Sequence, residues 1–163
     1  EPAQQAYDHA AKTLLERLRE GKNVAVLCEG DPFFYGSFQY LFFRLAKKCP
    51  IKVVPGISSL MSCSTSLSQP LSARNDVLSI LPAPLPDTAL KACLQVADTA
   101  AIIKIGRHFS RIRNLLETMN LEKKSYYIER STLPNEKIKN LDNVDPLEVP
   151  YFSMILVKRR GEI

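Results

Sequence analysis

The sequence predicts an α/β protein, and three observations carry that expectation. Helical-period and strand-like runs alternate from end to end, most runs are closed by Gly or Pro, and 45% of the 163 residues are hydrophobic, a globular share. The longest apolar candidates, Val77 to Leu81 and Tyr151 to Val157, are strand-sized. None approaches the ~20 residues needed to span a bilayer.

The elements follow in order. Ala10, Ala11, Leu14, Leu15 and Leu18 recur at helical spacing, predicting a helix from Ala3 to Glu20 that Gly21 stops. Val24 to Cys28 is a continuous apolar run, as in a strand buried on both faces. Phe38, Leu41, Phe42 and Leu45 form one face of a helix from about Ser37 to Lys48, and Ile51 to Val54 reads as the next strand. Pro55-Gly56 then turns into a small-residue helix from Ser58 to about Ser68. The second half repeats the pattern: strand Asp76 to Leu81, helix to Val96 with Asp87 as its cap, and strand Thr99 to Ile105 stopped by Gly106. A helix from Phe109 to Met119 and strands Ser125 to Ile128 and Tyr151 to Val157 complete it. The Pro-Gly pair separates two such blocks, which places a boundary near Val54-Pro55 and gives domains 1–54 and 55–163.

The formal net charge is +5, but Lys and Arg are scattered beside acids, as in Glu16-Arg17 and Arg19-Glu20. Only Lys158-Arg159-Arg160 clusters. That distribution reads as a solvated basic surface rather than a nucleic-acid footprint, and no aromatic-basic stacking surface accompanies it. A positive field would still attract a polycarboxylate. Cys28, Cys49, Cys63 and Cys93 show no C-x-x-C spacing and no nearby His pair, so no metal site is expected. Cys28 and Cys63 lie in apolar stretches, where a free thiol behaves as a small hydrophobe, and a reducing cytoplasm is the natural compartment. No signal peptide is visible at Glu1-Pro2-Ala3-Gln4.

Two segments carry candidate chemistry. Cys28-Glu29-Gly30-Asp31-Pro32-Phe33-Phe34-Tyr35-Gly36 lies between a strand run and a helix, where open α/β sheets bind ligands. Gly30 lets backbone approach a ligand, and Asp31 either accepts from a ligand amine or orders the loop through its own backbone. Val53-Val54-Pro55-Gly56-Ile57-Ser58-Ser59 repeats the arrangement. Its helix start either holds polar ligand atoms on free N–H groups or is simply capped by Ser58. His9 and His108 read as surface or helix-terminal residues.

Together these segments resemble the tetrapyrrole methylase family, the class III S-adenosylmethionine methyltransferases. The signature is Gly30-Asp31-Pro32 with Tyr35-Gly36, then Val54-Pro55-Gly56-Ile57-Ser58-Ser59 at this interval. Ala101 to Arg107 is similar to the family's second-domain strand and glycine turn, and Tyr127 to Thr132 to its next strand and loop. Pro150-Tyr151-Phe152-Ser153-Met154-Ile155-Leu156 resembles the closing strand of the branch that methylates C20 of precorrin-2 or cobalt-factor II in cobalamin biosynthesis.

The resemblance implies a two-domain tetrapyrrole methylase fold with the cofactor in the cleft between the domains, and a homodimer. The family's opening strand and glycine- and proline-rich loop have no counterpart before Gly30, so the first domain is expected to be truncated at its N-terminus. S-adenosyl-L-methionine would be the cofactor, S-adenosyl-L-homocysteine its product, and a tetrapyrrole the substrate. No nucleic acid or membrane partner is implied. Glu29, Gly30, Asp31 and Phe34 would line the cofactor, and Ser58 and Ser59 would meet its methionine portion. Ile105 and Ser131 would touch the adenosine side, with Ser131 standing where relatives often carry Gly. Tyr35 and Lys104 would face the substrate, packing being the other role open to Tyr35. No catalytic base is assigned. The rivals are another tetrapyrrole methylase, acting at a different ring position or on uroporphyrinogen III, and a noncatalytic basic binding module on the same fold.

Overall fold

The computed structural model describes residues 2–159 and divides into two compact units between Ser58 and Ser59. Arg160, the third member of the basic cluster, lies outside the described residues.

The first unit holds helices α1 (Pro2–Arg19) and α2 (Phe38–Leu45). Gly21, at φ 78°, closes α1. Its N–H reaches Leu18 O at 3.0 Å and the Lys22 N–H reaches Arg17 O at 3.2 Å, a left-handed C-terminal cap. Arg44 of α2 ties the helices together, donating from Nε to Asp8 Oδ1 at 2.6 Å and from Nη2 to Gln4 Oε1 at 2.7 Å. Tyr7 and Tyr40 meet beside it with ring centroids 5.0 Å apart.

The two strands expected in this unit do not form. Residues 24–28 and 51–54 belong to no ladder, and Leu27 is 94% exposed. An apolar run supplies side chains for burial, but a strand also needs a neighbouring backbone, and none pairs with these segments among the described residues. Cys28 is consequently exposed, not the buried small hydrophobe expected, whereas Cys63 is buried.

The second unit is a five-stranded mixed sheet with helices. After α3 (Ser59–Ser66) come β1 (Leu78–Pro82), α4 (Asp87–Val96), β2 (Thr99–Ile103) and α5 (Phe109–Thr118). The chain continues as β3 (Ser125–Glu129), β4 (Lys137–Lys139) and β5 (Ser153–Lys158). Sheet order is β1-β2-β5-β3-β4. β1 runs parallel to β2, while β5 is antiparallel to both β2 and β3, in register Ala101↔Leu156 and Tyr127↔Ile155. The carboxyl ends of β1, β2 and β3 therefore share one sheet edge with the start of β5. Strand β2 is buried throughout, its Ala and Ile side chains filling both faces. Ala100, Ile102, Tyr127 and Ile155 join Leu90 and Leu94 of α4 and Ile112 and Leu116 of α5 in one core.

Local departures have physical reasons. Strand β2 stops at Ile103 rather than Ile105 because Lys104 turns left-handed, at φ 59°. Pro86 occupies the cap of α4, so Asp87 lies in the first turn and pairs with Arg111 instead of capping. The short β4 adds a strand that the sequence pattern does not announce. Its Lys-Ile-Lys run has too little apolar character, and lysines suit an edge.

Candidate functional site

In the first unit the two signature loops are stitched together by one side chain. Asp31 Oδ1 accepts from the Phe33 N–H at 2.9 Å and Oδ2 from the Gly56 N–H at 3.0 Å. These bonds, the Gly56 one foremost, hold the Asp31 carboxyl below the usual carboxylate range. Asp31 orders the loop, each of its oxygens accepting from one backbone N–H. Gly30 is left-handed at φ 73°, and a Cβ on Gly56 would stand 2.1 Å from Gly30 O. The Gly56 backbone therefore lies directly on the Gly30 carbonyl, an approach no other residue permits. Around this turn Glu29 is exposed and Phe34 half-buried. Phe34 packs edge-on against Tyr35 at 5.1 Å. Tyr35 is itself left-handed at φ 53° and remains 47% exposed. Ser58 follows directly, half-buried, and Ser59 opens α3.

In the second unit the expected residues gather where β2 and β3 end. Left-handed backbone is concentrated there: Lys104 after β2, and Arg130 (φ 52°) and Thr132 (φ 65°) on either side of Ser131 after β3. Such conformations cost non-glycine residues of order 1 kcal/mol each and persist only where surroundings enforce them. Ile105 is fully buried in the core, so at this edge it offers backbone rather than side chain, and its carbonyl accepts the His108 N–H at 2.6 Å. His108 directly precedes α5 and His9 is exposed on α1, the helix-terminal and surface positions expected of them.

Two glutamates to which the sequence assigns no role organise this edge: Glu129, within the Tyr127 to Thr132 stretch, and Glu136 beyond it. Glu129, 4% exposed, accepts from Tyr127 Oη at 2.6 Å and from Arg130 Nη1 at 2.6 Å, with Lys137 Nζ 3.6 Å away. Burial first, then the hydrogen bond to Glu129, raises the Tyr127 phenol well above its ordinary value. Beside Glu129 a cavity of about 160 Å³ is lined by Glu129, Arg130, Lys137, Lys139, Asp145 and Glu148. Its cations and anions balance in number. Glu136 Oε2 accepts from the Thr132 N–H at 2.6 Å and from Ser66 Oγ at 2.7 Å, and Ser66 Oγ lies 3.0 Å from Ser131 Oγ. Sequence reasoning singles out the stretch that holds Glu129 but assigns it no role, and it misses Glu136, because their partners are backbone groups or side chains that no spacing rule connects to them. A charged residue entering a strand core at position 129 is the one available hint.

The chain is similar to known proteins over most of its length. The model of the Tetrapyrrole (Corrin/Porphyrin) Methylases matches residues 1–145. The precorrin-2 C(20)-methyltransferase of a Sinorhizobium species is 38% identical over 151 residues, 93% of this chain and 62% of that protein. The cobalamin biosynthesis protein CobIJ of Mycobacterium tuberculosis H37Rv is 36% identical over 151 residues, 93% of this chain and 30% of that protein. Among solved structures, the uroporphyrin-III C-methyltransferase of Thermus thermophilus, complexed with S-adenosyl homocysteine, superposes with a TM-score of 0.66. It is 22% identical, and the match covers 92% of this chain and 72% of that one. The chain thus spans less than two thirds of the Sinorhizobium relative's length.

Proposed function

We propose that this chain, which belongs to the tetrapyrrole (corrin/porphyrin) methylase family, is part of an S-adenosylmethionine-dependent C20-methyltransferase acting on precorrin-2 or cobalt-factor II in cobalamin biosynthesis. The observation that carries the reading is its 38% identity to a precorrin-2 C(20)-methyltransferase across 93% of the chain. Its domains are 1–54 and 55–163, a boundary just ahead of the division of the compact units between Ser58 and Ser59, and the working protein is a cytoplasmic homodimer.

The residues present fit the methyl donor. Gly56 lets the two loop backbones meet directly at Gly30, and Asp31 holds both turns in place. Glu29 offers an exposed carboxylate, and Ser58 and Ser59 offer hydroxyls to the donor's amino-acid portion. Ile105 backbone and Ser131 serve the adenosine side, Phe34 gives apolar contact, and Tyr35 and Lys104 serve the tetrapyrrole. When bound, the donor supplies an electrophilic methyl group, so the protein's task is to bind, orient and exclude water. No side-chain nucleophile is required.

The test uses a protein of the relatives' full length carrying this chain, supplied with S-adenosylmethionine and either tetrapyrrole. Mass spectrometry is expected to show one added methyl, and NMR to place it on C20. A methyl on C11 or C17, reaction with uroporphyrinogen III alone, or no reaction with any tetrapyrrole would overturn the assignment.

A further inference from the structure

We propose that Glu136 is the positioning residue for the Ser131 turn, clamping it to the end of α3 so that Ser131 is presented in one fixed conformation. The proposal rests on the reading of Ser131 as a contact for the donor's adenosine side. The turn between β3 and β4 carries unfavourable backbone. Arg130 and Thr132, on either side of Ser131, are both left-handed without being glycine, and each would relax to ordinary backbone if released.

Besides the bonds from Thr132 Oγ1 to Ser131 O at 2.6 Å and from Glu136 N–H to Leu133 O at 3.0 Å, three backbone N–H groups oppose that relaxation. Arg130 N–H donates to Phe152 O at 2.8 Å, fixing the turn's entry beside the start of β5. Leu133 N–H returns to Arg130 O at 2.9 Å. At the exit, Thr132 N–H donates to Glu136 Oε2 at 2.6 Å. Of the three, the Glu136 anchor alone reaches a helix. The same carboxylate oxygen accepts from Ser66 Oγ, the last residue of α3, and that hydroxyl lies 3.0 Å from Ser131 Oγ. The arrangement explains the small residues on α3. Cys63 and Ser66 stand one turn apart, and a larger side chain at either would hold α3 away from the turn. It also gives a use for Ser131, whose hydroxyl completes a chain that glycine could not. Bonds from the Thr132 backbone and the Ser66 hydroxyl keep the Glu136 carboxyl below its ordinary range, so the clamp is ionised at neutral pH.

The experiment measures S-adenosylhomocysteine affinity by calorimetry, with melting temperature alongside, in a protein of the relatives' full length. Glu136→Ala is expected to weaken binding about tenfold, and Glu136→Gln, whose amide oxygen still accepts both bonds, to recover most of that. Ser131→Leu, which fills the contact itself, is the control for the site. Loss in Glu136→Ala with recovery in Glu136→Gln supports the clamp, since a purely structural residue would move melting temperature without this pattern in affinity. Unchanged affinity in Glu136→Ala while Ser131→Leu loses it overturns the clamp and leaves the site reading standing. Unchanged affinity in Ser131→Leu, or no binding by the parent protein, overturns both. Should Glu136→Ala fail to fold, Glu136→Asp, one methylene too short to span both partners, replaces it: weakened binding supports the clamp and unchanged binding overturns it.

Discussion

A methyl group at Gly56 would stand 2.1 Å from Gly30 O and 2.9 Å from the Gly30 carbonyl carbon, and both are backbone atoms that cannot swing aside. Gly56→Ala is therefore predicted to pull the two signature loops apart and abolish S-adenosylhomocysteine binding, measured by calorimetry on a full-length protein. Gly30→Val acts differently. The added Cβ would find Ile57 O at 3.6 Å, ordinary contact, so the penalty comes from a β-branched residue at φ 73° and is about 1–2 kcal/mol. Asp31 sets the acid limit of the same turn. Its folded pKa is depressed, so its contribution is complete above the unfolded value of about 3.9 and is lost as pH falls through the lower folded value. Ligand affinity should then be insensitive to Asp31 between pH 5 and 8, by roughly that reasoning, and fall only below about 4. The thiols give an independent check. Burial pushes Cys63 up to about 11, whereas Cys28 is exposed. Iodoacetamide at neutral pH should label Cys28 first and reach Cys63 only after denaturation, read by peptide mass mapping. Equal rates would contradict the burial of α3.

Element by element, stability in the second unit is concentrated in β2, whose five residues are all buried between two neighbouring strands. Ile102→Ala removes a fully buried side chain from the core shared with α4 and α5, and should cost about 2–5 kcal/mol in urea unfolding. Ile138→Ala on β4, half exposed, should cost about 1 kcal/mol or less. Comparable losses at the two positions would mean that the sheet is not organised around β2. This contrast is also what makes the elements unequally readable. The apolar stripes of α1, α2 and α5 and the unbroken run of β2 are direct consequences of burial, and they are legible in the chain. Strand β4 owes its existence to pairing with β3, and Lys137-Ile138-Lys139 carries no pattern of its own. Residues 24–28 are the converse case, a strand-like pattern without a pairing partner among the described residues. At the candidate site, the glycine turns are legible because positive φ and close backbone contact demand particular residues. Glu129 and Glu136 are not, because a carboxylate bonding to Arg130, Ser66 or the Thr132 backbone leaves no spacing rule in the chain.

For the whole molecule, the two units differ in how well they satisfy themselves. The second has a continuous core beneath a paired sheet. The first has two helices joined by Arg44, beside apolar segments left at the surface, with Leu27 at 94%, Ile57 at 77% and Val54 at 67% exposure. Exposed apolar side chains on unpaired backbone invite another chain to cover them. The same loops carry Gly30, Asp31 and Gly56, so on the proposed reading their order bears on donor binding. Methyl transfer depends steeply on how closely two reactants are held, and a loosely ordered wall raises the barrier even when every contact residue is present. The 163-residue chain alone, spanning 62% of its Sinorhizobium relative, is therefore predicted to turn over far more slowly than a version of the relative's length. It should also self-associate at concentrations where the longer protein holds one defined size. Turnover under saturating donor and tetrapyrrole, with light scattering on the same samples, provides the comparison. Equal turnover would show that the loops of the first unit are ordered well enough by Asp31, Gly56 and Arg44 alone.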